Sequence, residues 1–127
     1  MIKTLSISNF AIIDYVEVNF DKGMTTITGE TGTGKSIILG ALSMVLGKRA
    51  DLTVFKNPSK KCIIEAYFDI SKYNLKIIFD QENIDYENET TLRRELIPSG
   101  KSRAFINDCL VNLETLTKIS SNLIDIH

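Results

Sequence analysis

An α/β fold built around a phosphate-binding loop, with antiparallel strands placed ahead of it, is the architecture that this 127-residue sequence predicts. Three observations carry it. Residues 29–36 complete the pattern G-x-x-x-x-G-K-[ST]. The loop lies between a short β-branched run, Met24 to Thr28, and a stretch in which Ile38, Ala41, Leu42, Val45 and Leu46 recur at helical spacing. Two alternating segments, Leu5 with Ile7 and then Val16, Val18 and Phe20, come before the loop, so the chain opens on an antiparallel pair. A plain doubly wound nucleotide fold would place its loop after the first strand.

The loop residues are Gly29, Glu30, Thr31, Gly32, Thr33, Gly34, Lys35 and Ser36. Glycines at these spacings let backbone N–H groups turn inward around a polyphosphate. Lys35 supplies a mobile positive charge for the β- and γ-phosphates, and the Ser36 hydroxyl is placed to ligate Mg²⁺. The following helix points its unpaired N–H groups and positive dipole end at the same phosphates. Gly47 stands where a left-handed C-cap belongs, with Lys48 and Arg49 just past the helix end. Gly40 is either a point of close approach to the sheet or a neutral surface glycine, at about 1 kcal/mol of helix propensity against Ala.

The remaining elements follow from periodicity. Asn9-Phe10-Ala11 interrupts the opening strands, and Asp21-Lys22-Gly23 turns the chain toward 24–28. Residues 51–61, containing Asn57-Pro58-Ser59, read as a loop. Cys62, Ile64, Ala66, Phe68 and Ile70 alternate with Ile63, Glu65, Tyr67 and Asp69 in the clearest amphipathic strand of the chain. Ser71 is placed to cap a short helix carrying Leu75, Ile78 and Phe79. Residues 85–90 read as a polar turn, and Leu92, Arg94 and Leu96 alternate with Arg93 and Glu95 in a further strand. Pro98-Ser99-Gly100 turns it into a hairpin partner at 103–106, and Asn107-Asp108 is another turn signal. Asn112 is placed to cap a helix with Leu113, Leu116 and Ile119 on one face, and 123–127 reads as an apolar strand stub.

Composition bounds the class. A single domain is expected at this length, 43% hydrophobic content supports a core, and 24% charged residues is ordinary for a globular chain. The net charge of −1 argues for no particular partner. Charge is nonetheless blocked: residues 48–61 carry five basic residues against one acid, 62–90 two against seven, and 91–103 four against one. Such blocks are solvated faces or parts of a surface that meets a polyanion. Cys62 and Cys109 lack metal-ligand spacing and are expected to be reduced and at least half-buried. No leader opens the chain and its apolar runs are too short to span a bilayer, so a cytoplasmic protein with no membrane partner is expected.

The chemistry for hydrolysis is incomplete. A second carboxylate at the end of a buried strand would share the Mg²⁺, and another group would orient the attacking water. No run of four apolar residues followed by Asp-Glu is present; Asp69 and Asp125 follow shorter runs and read as ordinary strand positions. Glu30 reads as a solvent-facing loop position, and His127, the one histidine, as incidental. No catalytic residue is assigned within this sequence. A strong phosphate site without a hydrolytic partner suggests part of a larger protein.

Several segments resemble one family. They are Ile7 to Ile13, Gly23 to Ile37, Leu46 to Ala50, Arg93-Arg94, Gly100 to Asn107 and Leu123 to His127. Together they are similar to the start of the RecN family of bacterial DNA repair proteins, relatives of the SMC proteins with an ABC-type ATPase head. The resemblance covers essentially all 127 residues. It implies a P-loop NTPase fold in which residues 1–127 form the N-terminal lobe of an ABC/SMC-type head: an antiparallel β subdomain plus a core sheet packed on the phosphate-loop helix. It implies ATP and Mg²⁺ as ligands, Gly29 to Ser36 as their site, and an ATPase that acts in DNA double-strand break repair and recombination, associated with the nucleoid. Its partners would be its own C-terminal lobe, a second head in a homodimer, and DNA. By the family pattern, Asn9, Phe10 and Ala11 lie near the nucleotide, and Arg49 lies near a segment facing DNA. The coiled coil, Q-loop, signature motif and Walker B acids of the family are outside this sequence, so the lobe alone is expected to be inactive. Lys48 stands where the family often has Gly. The alternative is a nucleotide-binding subunit fragment of an ABC transporter; a standalone small kinase would need an acceptor site and second carboxylate that the sequence lacks.

Overall fold

The computed structural model describes residues 1–20, 32–49 and 54–123. The expected strand at 24–28, the loop residues Gly29, Glu30 and Thr31, and the stub from Ile124 to His127, with Asp125 inside it, lie outside the described residues.

Among the described residues, six strands make one sheet in the order β2-β1-β3-β4-β5-β6, every neighbouring pair antiparallel. The strands are β1 (Ile2–Phe10), β2 (Ile13–Asn19), β3 (Cys62–Asp69), β4 (Glu89–Leu96), β5 (Ser102–Ile106) and β6 (Cys109–Val111). The described residues also form the helices α1 (Gly32–Val45), α2 (Lys76–Gln81) and α3 (Leu113–Ser120). The period-2 alternation puts Leu5 and Ile7 of β1, Ile64 and Phe68 of β3, and Leu92 and Ile106 of β4 and β5 on one face, all fully buried. The helix α1 packs on that face against β1, β3 and β4, through Ile38, Ala41, Met44 and Val45 at intervals of three, three and one. Each fully buried Phe or Leu there contributes about 2–3 kcal/mol. The helix α3 covers β5 on the same side with Leu116 and Ile119.

The other face carries a row of charge. Glu65, Arg93 and Phe105 lie directly opposite one another on β3, β4 and β5. Arg93 Nη1 meets Asp108 at 2.8 Å and Glu65 at 3.5 Å, its Nε meets Glu95 at 3.2 Å, and its guanidinium carbon sits 4.2 Å above the Phe105 ring.

Local signals account for most of the turns. Asn107 and Asp108 both adopt positive φ, 49° and 63°, as a two-residue hairpin loop of the type I′ class needs, and β6 follows as the partner of β5. This sixth strand is too short for the alternation to reveal it. The cap at Asn112 is present: its side chain accepts the Thr115 N–H at 2.8 Å. Three expectations are corrected. Ser71 caps no helix; its N–H and hydroxyl both donate to Asp69 Oδ1, at 3.0 and 2.7 Å. The helix α2 begins five residues after it, behind Leu75, which is buried and gives no side-chain cap. Burial of Leu75 and Phe79, with Phe79 edge-on to Tyr86 at 5.4 Å, holds α2 instead. The polar turn is also shorter than expected, because β4 already starts at Glu89 and Thr90 is buried, its hydroxyl donating to the Glu87 carbonyl. Lastly, Cys62 is buried as expected but Cys109 is exposed on the edge strand β6; both are free thiols.

Candidate phosphate site

The helix α1 begins at Gly32, inside the phosphate-loop pattern. Gly32, Thr33, Gly34 and Lys35 therefore form its first turn, and Ser36 follows with its side chain exposed. The first-turn N–H groups of any α-helix have no partner within the helix, and they carry its positive dipole end. No acidic residue lies in this turn to compete for that end. The donor set fits a Mg-polyphosphate: backbone N–H groups at a helix mouth, and a serine hydroxyl free to reach a cation.

The opposite end of α1 is tied by three separate elements. Gly47 adopts φ of 117°, and the N–H groups of Gly47 and Lys48 donate to the carbonyls of Met44 and Ser43, both at 3.1 Å. This is a Schellman ending, with the glycine at the position the sequence marks. From β4, Arg94 Nη1 donates to the carbonyl oxygens of Met44 and Lys48, each at 2.7 Å, and its Nε donates to Ser102 Oγ at 2.9 Å. From α3, the Ser120 hydroxyl donates to the Leu46 carbonyl at 2.5 Å. Arg94 is 2% exposed, and burial pushes its pKa below the ordinary guanidinium value. Among the described residues it has no carboxylate partner; carbonyl oxygens at the negative end of the α1 dipole take that role. Its role could have been found from phase. Arg94 occupies a core position between Leu92 and Leu96, and a guanidinium placed there must find acceptors.

Of Asn9, Phe10 and Ala11, the Phe10 ring lies beside the middle of α1, while the other two engage the 54–61 segment. Asn9 adopts φ of 57° and is buried. Its Nδ2 donates toward the carbonyls of Asn57 and Lys60, each at 3.0 Å, and of Lys61 at 3.1 Å, while its Oδ1 accepts the Asn57 N–H at 2.7 Å. The amide thus clamps the loop that leads into β3. Phe10 belongs to the core, and the Ala11 N–H donates to the Val54 carbonyl at 2.6 Å. Gly40 resolves in favour of the neutral reading: a Cβ there would meet the Phe10 ring at 3.8 Å, an ordinary contact.

Arg49 is exposed just past α1, on the rim of an open cavity of about 630 Å³ whose floor includes Arg94. Ser102, Ala104, Val111 and Leu113 complete much of its wall. The basic blocks 48–61 and 91–103, separate in sequence, meet around this cavity through Arg49 and Arg94. Asp69, at the end of β3, is engaged by Ser71, and no group of three or more metal-ligating side chains occurs among the described residues. No helix among the described residues is long and apolar enough to cross a membrane.

Among the described residues, a six-stranded antiparallel sheet carries a helix that opens inside the phosphate-loop sequence pattern; this is a P-loop NTPase lobe of the SMC-head type, and solved structures agree. The structure described as "Structural biochemistry of ATP-driven dimerization and DNA stimulated activation of SMC ATPases" superposes with a TM-score of 0.71 at 24% identity, over 95% of this chain and 78% of that one. The SMC head domain from Thermotoga maritima superposes with a TM-score of 0.60 at 17% identity, over 93% of this chain and 41% of that one. The family model described as AAA domain matches residues 4–127, and the chain belongs to that family. Over its whole length it is also similar to the DNA repair proteins RecN of Vibrio cholerae, 40% identical over 128 residues, and of Bacillus subtilis, 38% identical over 129. The chain spans 23% and 22% of the length of these two relatives. The RecN resemblance read from the sequence is thereby shown, and these similarities do not favour the transporter alternative.

Proposed function

We propose that residues 1–127 are the N-terminal lobe of the ATPase head of a RecN-like protein that hydrolyses ATP in DNA double-strand break repair and recombination. The observation that supports this most is that α1 starts within the G-x-x-x-x-G-K-[ST] pattern of a chain similar to RecN along its entire length. Gly29 to Ser36 hold the phosphates. Lys35 answers the charge of the β- and γ-phosphates, and Ser36 ligates Mg²⁺, which supplies charge neutralisation when bound. The helix α1 orients these donors through its fixed seat on the sheet. Asn9 and Phe10 support the site indirectly, since the Asn9 amide is committed to the 57–61 loop and the Phe10 ring packs beside α1. The C-terminal lobe, which completes hydrolysis, and a second head in a homodimer are the protein partners. Arg49, exposed and unpaired among the described residues, is the candidate contact to DNA.

The test is Lys35→Ala in a polypeptide that also carries the C-terminal portion found in the relatives. ATP binding, followed with a fluorescent analogue and Mg²⁺, is expected to fall by at least a hundredfold. Circular dichroism and the thermal midpoint should stay unchanged, because Lys35 is proposed as a ligand. Undiminished ATP affinity in a folded variant, or normal survival of DNA damage in cells carrying it, would falsify the assignment.

A further inference from the structure

We propose that Arg94 is a positioning residue of the phosphate site, acting from the far end of α1; this rests on the ATP-binding reading given above. A buried guanidinium with no carboxylate partner among the described residues is a poor device for stability alone. An apolar side chain of similar volume generally serves a core as well or better, and Arg94 lies in the phase of Leu92 and Leu96. What an apolar side chain cannot do is hold particular carbonyl oxygens. Arg94 forks between the Met44 carbonyl in the last turn and the Lys48 carbonyl beyond it, and Ser102 braces its Nε from the neighbouring strand.

Two things are set by that grip. The first is the tilt of α1. A 14-residue helix is about 21 Å long. Pivoted about its buried middle, a 5° release at one end moves the other by about 1 Å, and displacements of that size at a reacting group cost on the order of a hundredfold. The second is the direction in which the chain leaves α1, because the Lys48 carbonyl immediately precedes Arg49. One side chain of the β4–β5 hairpin therefore governs both the phosphate-loop helix and the placement of the exposed arginine on the cavity rim.

Arg94→Met and Arg94→Lys test this in the same longer polypeptide, with Phe79→Leu, a core change on the buried face of α2, as a control of comparable instability. Thermal midpoints are measured first, and ATPase KM and kcat are then measured at a temperature well below the lowest of them. KM for ATP is expected to rise about tenfold in Arg94→Met and about threefold in Arg94→Lys, whose shorter side chain has no second nitrogen to keep the bond to Ser102 while its ammonium reaches for the carbonyls. Phe79→Leu should lower the midpoint while leaving KM within twofold. A KM within twofold of the parent in both arginine variants, or an equal rise in Phe79→Leu, overturns the proposal. If Arg94→Met fails to fold, Arg94→Lys decides by the same criterion. Retention of ATP binding by Lys35→Ala would instead sink the underlying reading, so the two failures are distinguishable.

Discussion

Arg94 Nη1 lies 2.7 Å from the Met44 carbonyl oxygen, joining the fourth strand of the sheet to the last turn of α1 across fifty residues of sequence. The same turn is closed locally by Gly47 and capped from α3 by Ser120. A helix whose C-terminal carbonyls are so fully engaged has little freedom to fray or swing.

The two glycines of this region separate cleanly. Gly47→Ala is expected to cost about 2 kcal/mol or more, because φ is 117° and its Cβ would lie 2.5 Å from Thr117 Oγ1. Gly40→Ala is expected to stabilise the lobe by about 1 kcal/mol through helix propensity, since the Phe10 ring leaves room at 3.8 Å. Urea unfolding of both variants checks the opposite signs.

Asn9 joins a left-handed backbone to a side chain that satisfies the 57–61 loop. Asn9→Ala should cost about 3 kcal/mol, the sum of about 1 for the conformation and about 2 for the lost clamp. Asn9→Gly should recover the first part only. Amide exchange would show the loss concentrated at 54–61 and the start of β3; uniform exchange across the sheet would argue against a local clamp.

The two thiols should behave differently. Cys109 is exposed and should react with a disulfide reagent at pH 8 within the mixing time, while Cys62 should wait for unfolding. Burial pushes the Cys62 thiol up from 9.0 to about 11. In the unfolded chain this group ionises near its ordinary value, so the folded state retains its proton over a wider range. The sign follows: stability is unaffected below pH 9 and falls as pH rises toward 11, by up to about 3 kcal/mol. Cys62→Ala should remove that part of the alkaline loss in chemical denaturation across pH 8–11.

Periodicity revealed most of the sheet. The alternation from Cys62 to Ile70 needed no tertiary knowledge, because one face of β3 meets only the core. The Gly47 cap and the Asn112 cap were also legible, since each depends on residues within one turn. Ser71 misled because Asp69, two residues earlier, competes for the same hydroxyl and amide. The three-residue β6 is too brief for any pattern, and the exposure of Cys109 follows from its place on that edge. The start of α1 within the phosphate-loop pattern was legible, because that spacing is local. The anchoring of its helix was not, because Arg94 and Ser120 reach α1 from sequence distances of 50 and 74 residues.

Arg93 and Arg94 are chain neighbours that face opposite ways, one into the outer ionic row and one under α1. Sliding β4 by a single residue would put only one of them in the other's place. Moved one way, Glu95 would take the place of Arg94 and set a carboxylate against the Met44 and Lys48 carbonyls; moved the other way, Leu92 would take the place of Arg93 and leave Glu65 and Asp108 without their cation. A slip in either direction is thus penalised, and the two adjacent arginines fix the alignment of β4.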